Sequence, residues 1–67
     1  MKAVAKVDQM TFDSIWNDEP RFVGLHGPDV TGRDIEIRTQ GCRKYITGLA
    51  TEYDDGVITI EIFAKVN

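Results

Sequence analysis

The sequence predicts an α+β domain dominated by β-structure. About five strands, in the order β-α-β-β-β-β, curl into a small, partly open antiparallel barrel or curled sheet with one short helix. Three observations carry that reading. Asp54-Asp55-Gly56 separates two β-rich runs, residues 43–53 and 57–66, and Asp-Gly in such a place is among the strongest short-range hairpin signals. Residues 33–39 alternate strictly, with Ile35 and Ile37 on one face and Asp34, Glu36 and Arg38 on the other. Gly48 interrupts the run 43–53, and a glycine inside a strand marks a bulge or a barrel corner.

The elements follow in order. Residues 2–7 read as a short strand with Ala3, Ala5 and Val7 on one face. Thr11 is expected to cap a helix over residues 12–17, with Asp13 favouring the positive end of the dipole. Phe12, Ile15 and Trp16 form its apolar stripe, and Pro20 blocks any continuation. Residues 21–25 read as a second strand. Residues 24–32, rich in glycine and holding Pro28, read as a surface loop.

A turn at Gln40-Gly41 then reverses the chain and is expected to set Ile35 opposite Ile46. Pairing across Asp55-Gly56 instead groups Tyr45, Leu49 and Tyr53 with Ile58, Ile60 and Ile62. One strand cannot face both ways without a kink, so a bend at Gly48 is expected. The fragment Ile35-Glu36-Ile37, Gly41, Tyr45, Gly48-Leu49, Tyr53-Asp54 resembles the first Sm motif of the small-barrel Sm-like proteins. It departs from that pattern in the wide separation of its two glycines and in a helix that follows the first strand. No family is assigned on it.

Size and composition bound the function. The chain has 67 residues, read as one domain spanning 1–67 and near the lower limit for folding alone. Small scaffolds commonly add a disulfide, a metal or a partner subunit. Cys42 is the single cysteine, so no intrachain disulfide forms. One Cys and one His cannot supply a structural zinc site, and no metal or cofactor is expected. Homo-oligomerisation remains as a route to stability. No apolar run approaches the ~20 residues of a membrane span, so no membrane partner is expected. A lone thiol without an export signal points to the cytoplasm.

No segment carries a catalytic pattern, and the chain is expected not to be an enzyme. His26 lies in a loop and is read as solvent-exposed, with no nucleophile assigned to it. The fragment Gly24-Leu25-His26-Gly27 has the form of the Gly-x-x-Gly loop of KH domains but lacks a base and flanking helices. Gly27 to Gly32 has P-loop spacing, yet Arg33-Asp34 stands where Lys-Ser/Thr is required. Cys42 beside Arg43 and Lys44 reads as a small residue at a turn.

What remains is surface. Net charge is −3, with eight bases against eleven acids. Residues 8–20 hold Asp8, Asp13, Asp18 and Glu19 and no base, while Arg33, Arg38, Arg43 and Lys44 cluster between residues 33 and 44. Arg38, Arg43, Lys44 and Tyr45 are the expected partner-binding residues, because Arg and Tyr dominate interface hot spots. The favoured function is a non-enzymatic protein-binding module: a small regulator, adaptor or inhibitor docking on a larger protein, of the phage or mobile-element accessory type. The alternatives are a nucleic-acid-binding small barrel using the same basic patch, and a homo-oligomeric structural or assembly subunit.

Overall fold

The computed structural model describes residues 2–67; Met1 lies outside it. Five strands and one helix follow the predicted order: β1 (Ala3–Val7), α1 (Gln9–Trp16), β2 (Arg21–Val23), β3 (Asp34–Thr39), β4 (Tyr45–Asp54) and β5 (Val57–Val66). The strands form one sheet, ordered β1-β3-β4-β5-β2, that curls into a half-barrel around α1. It is mixed, not antiparallel throughout. β1 runs parallel to β3, whereas β3–β4, β4–β5 and β2–β5 are antiparallel. The parallel pair follows from connectivity: a long crossover through α1 and β2 separates β1 from β3, and parallel neighbours need such a crossover.

The helix begins a turn earlier than the sequence suggested. Asp8, not Thr11, is the N-cap, and its Oδ1 accepts from the Thr11 N–H at 2.7 Å. Asp8 satisfies an amide that the first turn leaves without an intrahelical acceptor. At the other end the Asp18 N–H donates to the Ile15 carbonyl and the Glu19 N–H to that of Ser14. Asp18 adopts φ 71°, and this left-handed residue closes the helix before Pro20. Phe12 and Ile15 are fully buried against the concave face of the sheet.

The core on that face joins Ala3 and Ala5 of β1, Phe22 of β2, Ile35 and Ile37 of β3, Ile46 and Ala50 of β4, and Ile58 and Ile60 of β5. Each fully buried large aliphatic side chain stabilises by roughly 1.5–3 kcal/mol relative to exposure. The loop 24–32 is not purely superficial. A single 3₁₀ turn at Pro28–Val30 drives Val30 into the core beside β4. Gly32 N–H then donates to the Ala50 carbonyl at 2.7 Å, tying the loop to the sheet.

The facing conflict in β4 is resolved by two register shifts. Ile37, not Ile35, stands opposite Ile46, and Ile35 stands opposite Gly48. At Thr47/Gly48 the partner strand carries the extra residue, Phe63, so the break expected at Gly48 is present. It is at Ala50/Glu52, where Thr51 is left out of the pairing, that β4 itself changes face. Tyr53 thereby reaches Ile58 and the core, while Tyr45 and Leu49 stay on the convex side. A Cβ on Gly48 would overlap the Glu61 carbonyl oxygen, so only glycine lets β5 approach this closely. The terminal hairpin closes as expected, with Asp55 at φ 49° and Gly56 at φ 84°. Two successive positive-φ residues define the tight turn that matches strand twist.

Candidate functional site

The basic and aromatic residues expected to bind a partner meet at one corner of the sheet, but not on one face. Arg38 and Tyr45 are register partners on the convex face, and the guanidinium carbon lies 4.3 Å from the Tyr45 ring centroid. Lys44, one residue earlier, turns the other way. Its Nζ lies 4.8 Å from the Trp16 ring centroid, and Trp16 in turn stacks on Phe12 at 5.8 Å. Arg43 is exposed in the connection between β3 and β4. The alternation of extended backbone dictates this split, since Tyr45 and Lys44 must point to opposite sides.

The other aromatics separate as well. Tyr53 and Trp16 are partly buried against the core, whereas Phe63 is exposed at the β5 bulge. Tyr53 therefore does not share a face with Arg43 and Tyr45, because the shift at Thr51 turns it inward.

The corner is not a patch of free positive charge. Arg38 Nε donates to Glu36 Oε2 at 2.9 Å, and Lys2 Nζ lies 3.7 Å from the other Glu36 oxygen. The hydrogen bond from Arg38 holds the Glu36 carboxyl below its ordinary range, aided by the nearby charges of Arg38 and Lys2 and opposed by partial burial. Glu36 in turn raises the Arg38 guanidinium. Both partners thus stay charged, and the arrangement is a fixed plus-minus-plus row with an aromatic face beside it. Fixing Arg38 against Glu36 and Tyr45 reduces the rotamer entropy it has to lose on binding.

Residues the sequence left out line a second feature, the open seam of the half-barrel. β1 and β2 are the two ends of the strand order, so each pairs on one side only. Between them is a cleft of about 370 Å³ lined by Val4, Ala5, Lys6, Val7, Phe22, Gly24, Leu25 and His26. Four consecutive residues of β1 line it, from both faces of the strand, so its wall is the strand edge. Val4, Val23 and Leu25 are exposed around it. His26, expected to be solvent-exposed, is half-buried here, and its Nδ1 is buried without a hydrogen-bond partner among the described residues. The apolar residues were legible, but nothing in their spacing says that two strands distant in sequence form facing edges.

Next to the seam, Lys6, Arg38, Thr39 and Gln40 line a more polar hollow of about 440 Å³. Among the described residues no three His, Cys, Asp or Glu side chains gather to hold a metal, and Cys42 is a half-buried free thiol. No helix there is long and apolar enough to cross a membrane. No protein-family model, curated protein or solved structure matches the chain. The fold and its surfaces define it at the level of class: a small, β-dominated half-barrel with an Arg–Tyr corner and an open apolar seam.

Proposed function

We propose that the chain is a non-enzymatic protein-binding module, a regulator, adaptor or inhibitor that docks on a larger protein. The observation that supports this most is the cationic-aromatic corner: Arg38 over Tyr45, exposed Arg43, and Lys44 over Trp16. Arg, Tyr and Trp supply large contact area with directional donors, and such residues dominate interface energetics. Neutralisation of Arg38 by Glu36 favours a protein surface over a nucleic-acid backbone. Phosphate binding draws its free energy from Lys and Arg side chains that displace the small cations condensed on the nucleic acid, and Arg38 already has a carboxylate.

The test is affinity capture from a lysate with and without nuclease, using the natural chain and an Arg43→Ala, Tyr45→Ala double variant. The expected result is a protein partner that survives nuclease, is retained by the natural chain and is lost by the folded double variant. Tyr45 lies half-buried on the convex face, so its removal should leave the thermal midpoint within a few degrees of the natural chain. Partner retention by the double variant rejects the corner as the contact. Capture that disappears with nuclease rejects the protein-binding reading in favour of nucleic acid.

A further inference from the structure

We propose that the seam between β1 and β2 receives an extended segment of a partner protein, added as a sixth strand along the β1 edge, in which apolar residues alternate with acidic ones. The inference rests on the reading of the chain as a binding module, but its surface is the β1 edge, which shares Arg38 with the Arg–Tyr corner and uses neither Arg43 nor Tyr45.

The backbone supplies the first argument. β1 spends one edge on the parallel ladder with β3, and none of its remaining amides or carbonyls joins another backbone hydrogen bond among the described residues. Five residues at about 3.3 Å each present roughly 16 Å of such edge. Strand addition to an exposed edge takes its affinity from these main-chain groups and its specificity from side-chain pockets. On the far side of the cleft β2 is equally open. Its ladder to β5 is prolonged at both ends by Gly24 N–H to the Gly56 carbonyl and Ile60 N–H to the Pro20 carbonyl. Both banks of the seam are therefore anchored to the sheet, and the gap between them is what separates a half-barrel from a closed one.

The side chains supply the second. Ala5 and Val7 of β1 and Phe22 of β2 line the gap on the face of β1 opposite Lys6, which suits the apolar residues of an incoming strand that alternates. The lining contains no carboxylate. Its one formal charge is Lys6, which makes no ion pair among the described residues and faces Arg38 in the β1–β3 register. Lys6 also lines the neighbouring polar hollow together with Arg38. An acidic residue of the segment placed there meets two cations, of which only Arg38 is already engaged.

Charge also selects against a second copy of this chain. Two β1 edges brought together would gather Lys2 and Lys6 from both copies onto one short strand pair. Lysine on an edge strand is a recognised barrier to self-pairing. The same lysine that repels a copy attracts an acidic segment, so one residue supplies both the exclusion and the attraction.

The test is an amide-resolved NMR titration of the isotopically labelled full chain with a capped hexapeptide of alternating valine and glutamate. Two controls are the lysine counterpart and the same acidic peptide N-methylated at every second amide. Expected are shifts confined to residues 2–7, 22–26 and their ladder neighbours, binding about tenfold tighter than the lysine peptide at low salt, and loss of binding on N-methylation. Lys6→Glu should erase the preference for the acidic peptide while leaving the thermal midpoint unchanged. The Arg43→Ala, Tyr45→Ala variant should bind the acidic peptide as the natural chain does, so the seam and the corner succeed or fail separately. Four results each overturn the proposal: no binding at millimolar peptide, shifts centred elsewhere, equal affinity for the two charges, or binding that tolerates N-methylation. Seam amides that shift on diluting the free protein would assign the seam to a second copy instead.

Discussion

Along β4, Ile46, Gly48 and Ala50 are buried on one face. Ile46 and Gly48 pair with both β3 and β5, and Ala50 pairs with β5 and exchanges backbone hydrogen bonds with Gly32 and Arg33 on its other edge. β1 and β2 belong to the same sheet, yet each pairs on one edge and leaves Val4, Val23 or Leu25 nearby in the open. The two regions differ in what holds them. The β3–β4–β5 meander is local in sequence, closed by short turns, and adds ladder bonds and core contacts together. The outer strands are held by long-range pairing, β1 to β3 and β2 to β5, and by the few core side chains they contribute, Ala3, Ala5 and Phe22. Stability concentrates in the centre, and the margins keep backbone groups free for another chain.

The strongest way to break the comparison is to remove a central side chain and a marginal one in parallel. Ile46→Ala should cost about 2–5 kcal/mol, because the residue is fully buried between two paired strands. Val23→Ala should change stability by about 0.5 kcal/mol or less, as for an ordinary surface site. Urea unfolding of both variants reads the contrast. Comparable losses would mean that the outer strands carry as much of the fold as the meander.

A smaller effect is expected from glycines that the meander needs for different reasons. Gly48→Ala should cost about 1–3 kcal/mol, since the new methyl meets the Glu61 backbone, which cannot swing aside as a side chain would. Gly56→Val should cost roughly 1–2 kcal/mol, through backbone strain at φ 84° in open space. If Gly48→Ala leaves the denaturation midpoint unmoved, the bulge is more pliable than its geometry implies.

The smallest expected effect sharpens the comparison at low pH. Hydrogen bonds from the Thr11 hydroxyl and backbone N–H hold the Asp8 carboxyl below its ordinary range, and Arg38 does the same for Glu36. A carboxyl with a lowered folded-state pKa stabilises fully above its unfolded value. It loses that contribution as pH falls through the folded value. Stability should therefore decline from about pH 5 downward. The Asp8→Asn, Glu36→Gln double variant should show a flatter acid limb in urea midpoints taken at several pH values. An acid limb as steep as that of the natural chain would assign the loss to other carboxylates.

Much of this was legible from local chemistry. The alternation of Ile35 and Ile37, the positive-φ demand at Gly56 and the interruption at Gly48 are read from neighbours only a few residues apart. The helix stripe of Phe12 and Ile15 was equally plain, though its cap was displaced to Asp8. Asp8 and Thr11 are both competent caps three residues apart, and burial of Phe12 and Ile15 is compatible with either start. The site was less legible. Arg38, Arg43, Lys44 and Tyr45 were recognisable as a cluster. That Lys44 would leave the group to cover Trp16 depends on where α1 packs. The seam was invisible, because Val4 and Leu25 look like ordinary apolar residues until their strands become edges.

By itself the sequence determined the elements, the two glycine turns and the alternating faces of β3, because each depends on dihedral preferences and spacing within one segment. Only the tertiary structure decided that β1 runs parallel beside β3, that Tyr53 turns inward after Thr51, and that β1 and β2 stand as facing open edges. Those outcomes depend on which distant strands pair and where a ladder slips by one residue. Such choices are made by the joint burial of Phe12, Phe22, Ile46 and Ile58 in one core, to which no single segment holds the key.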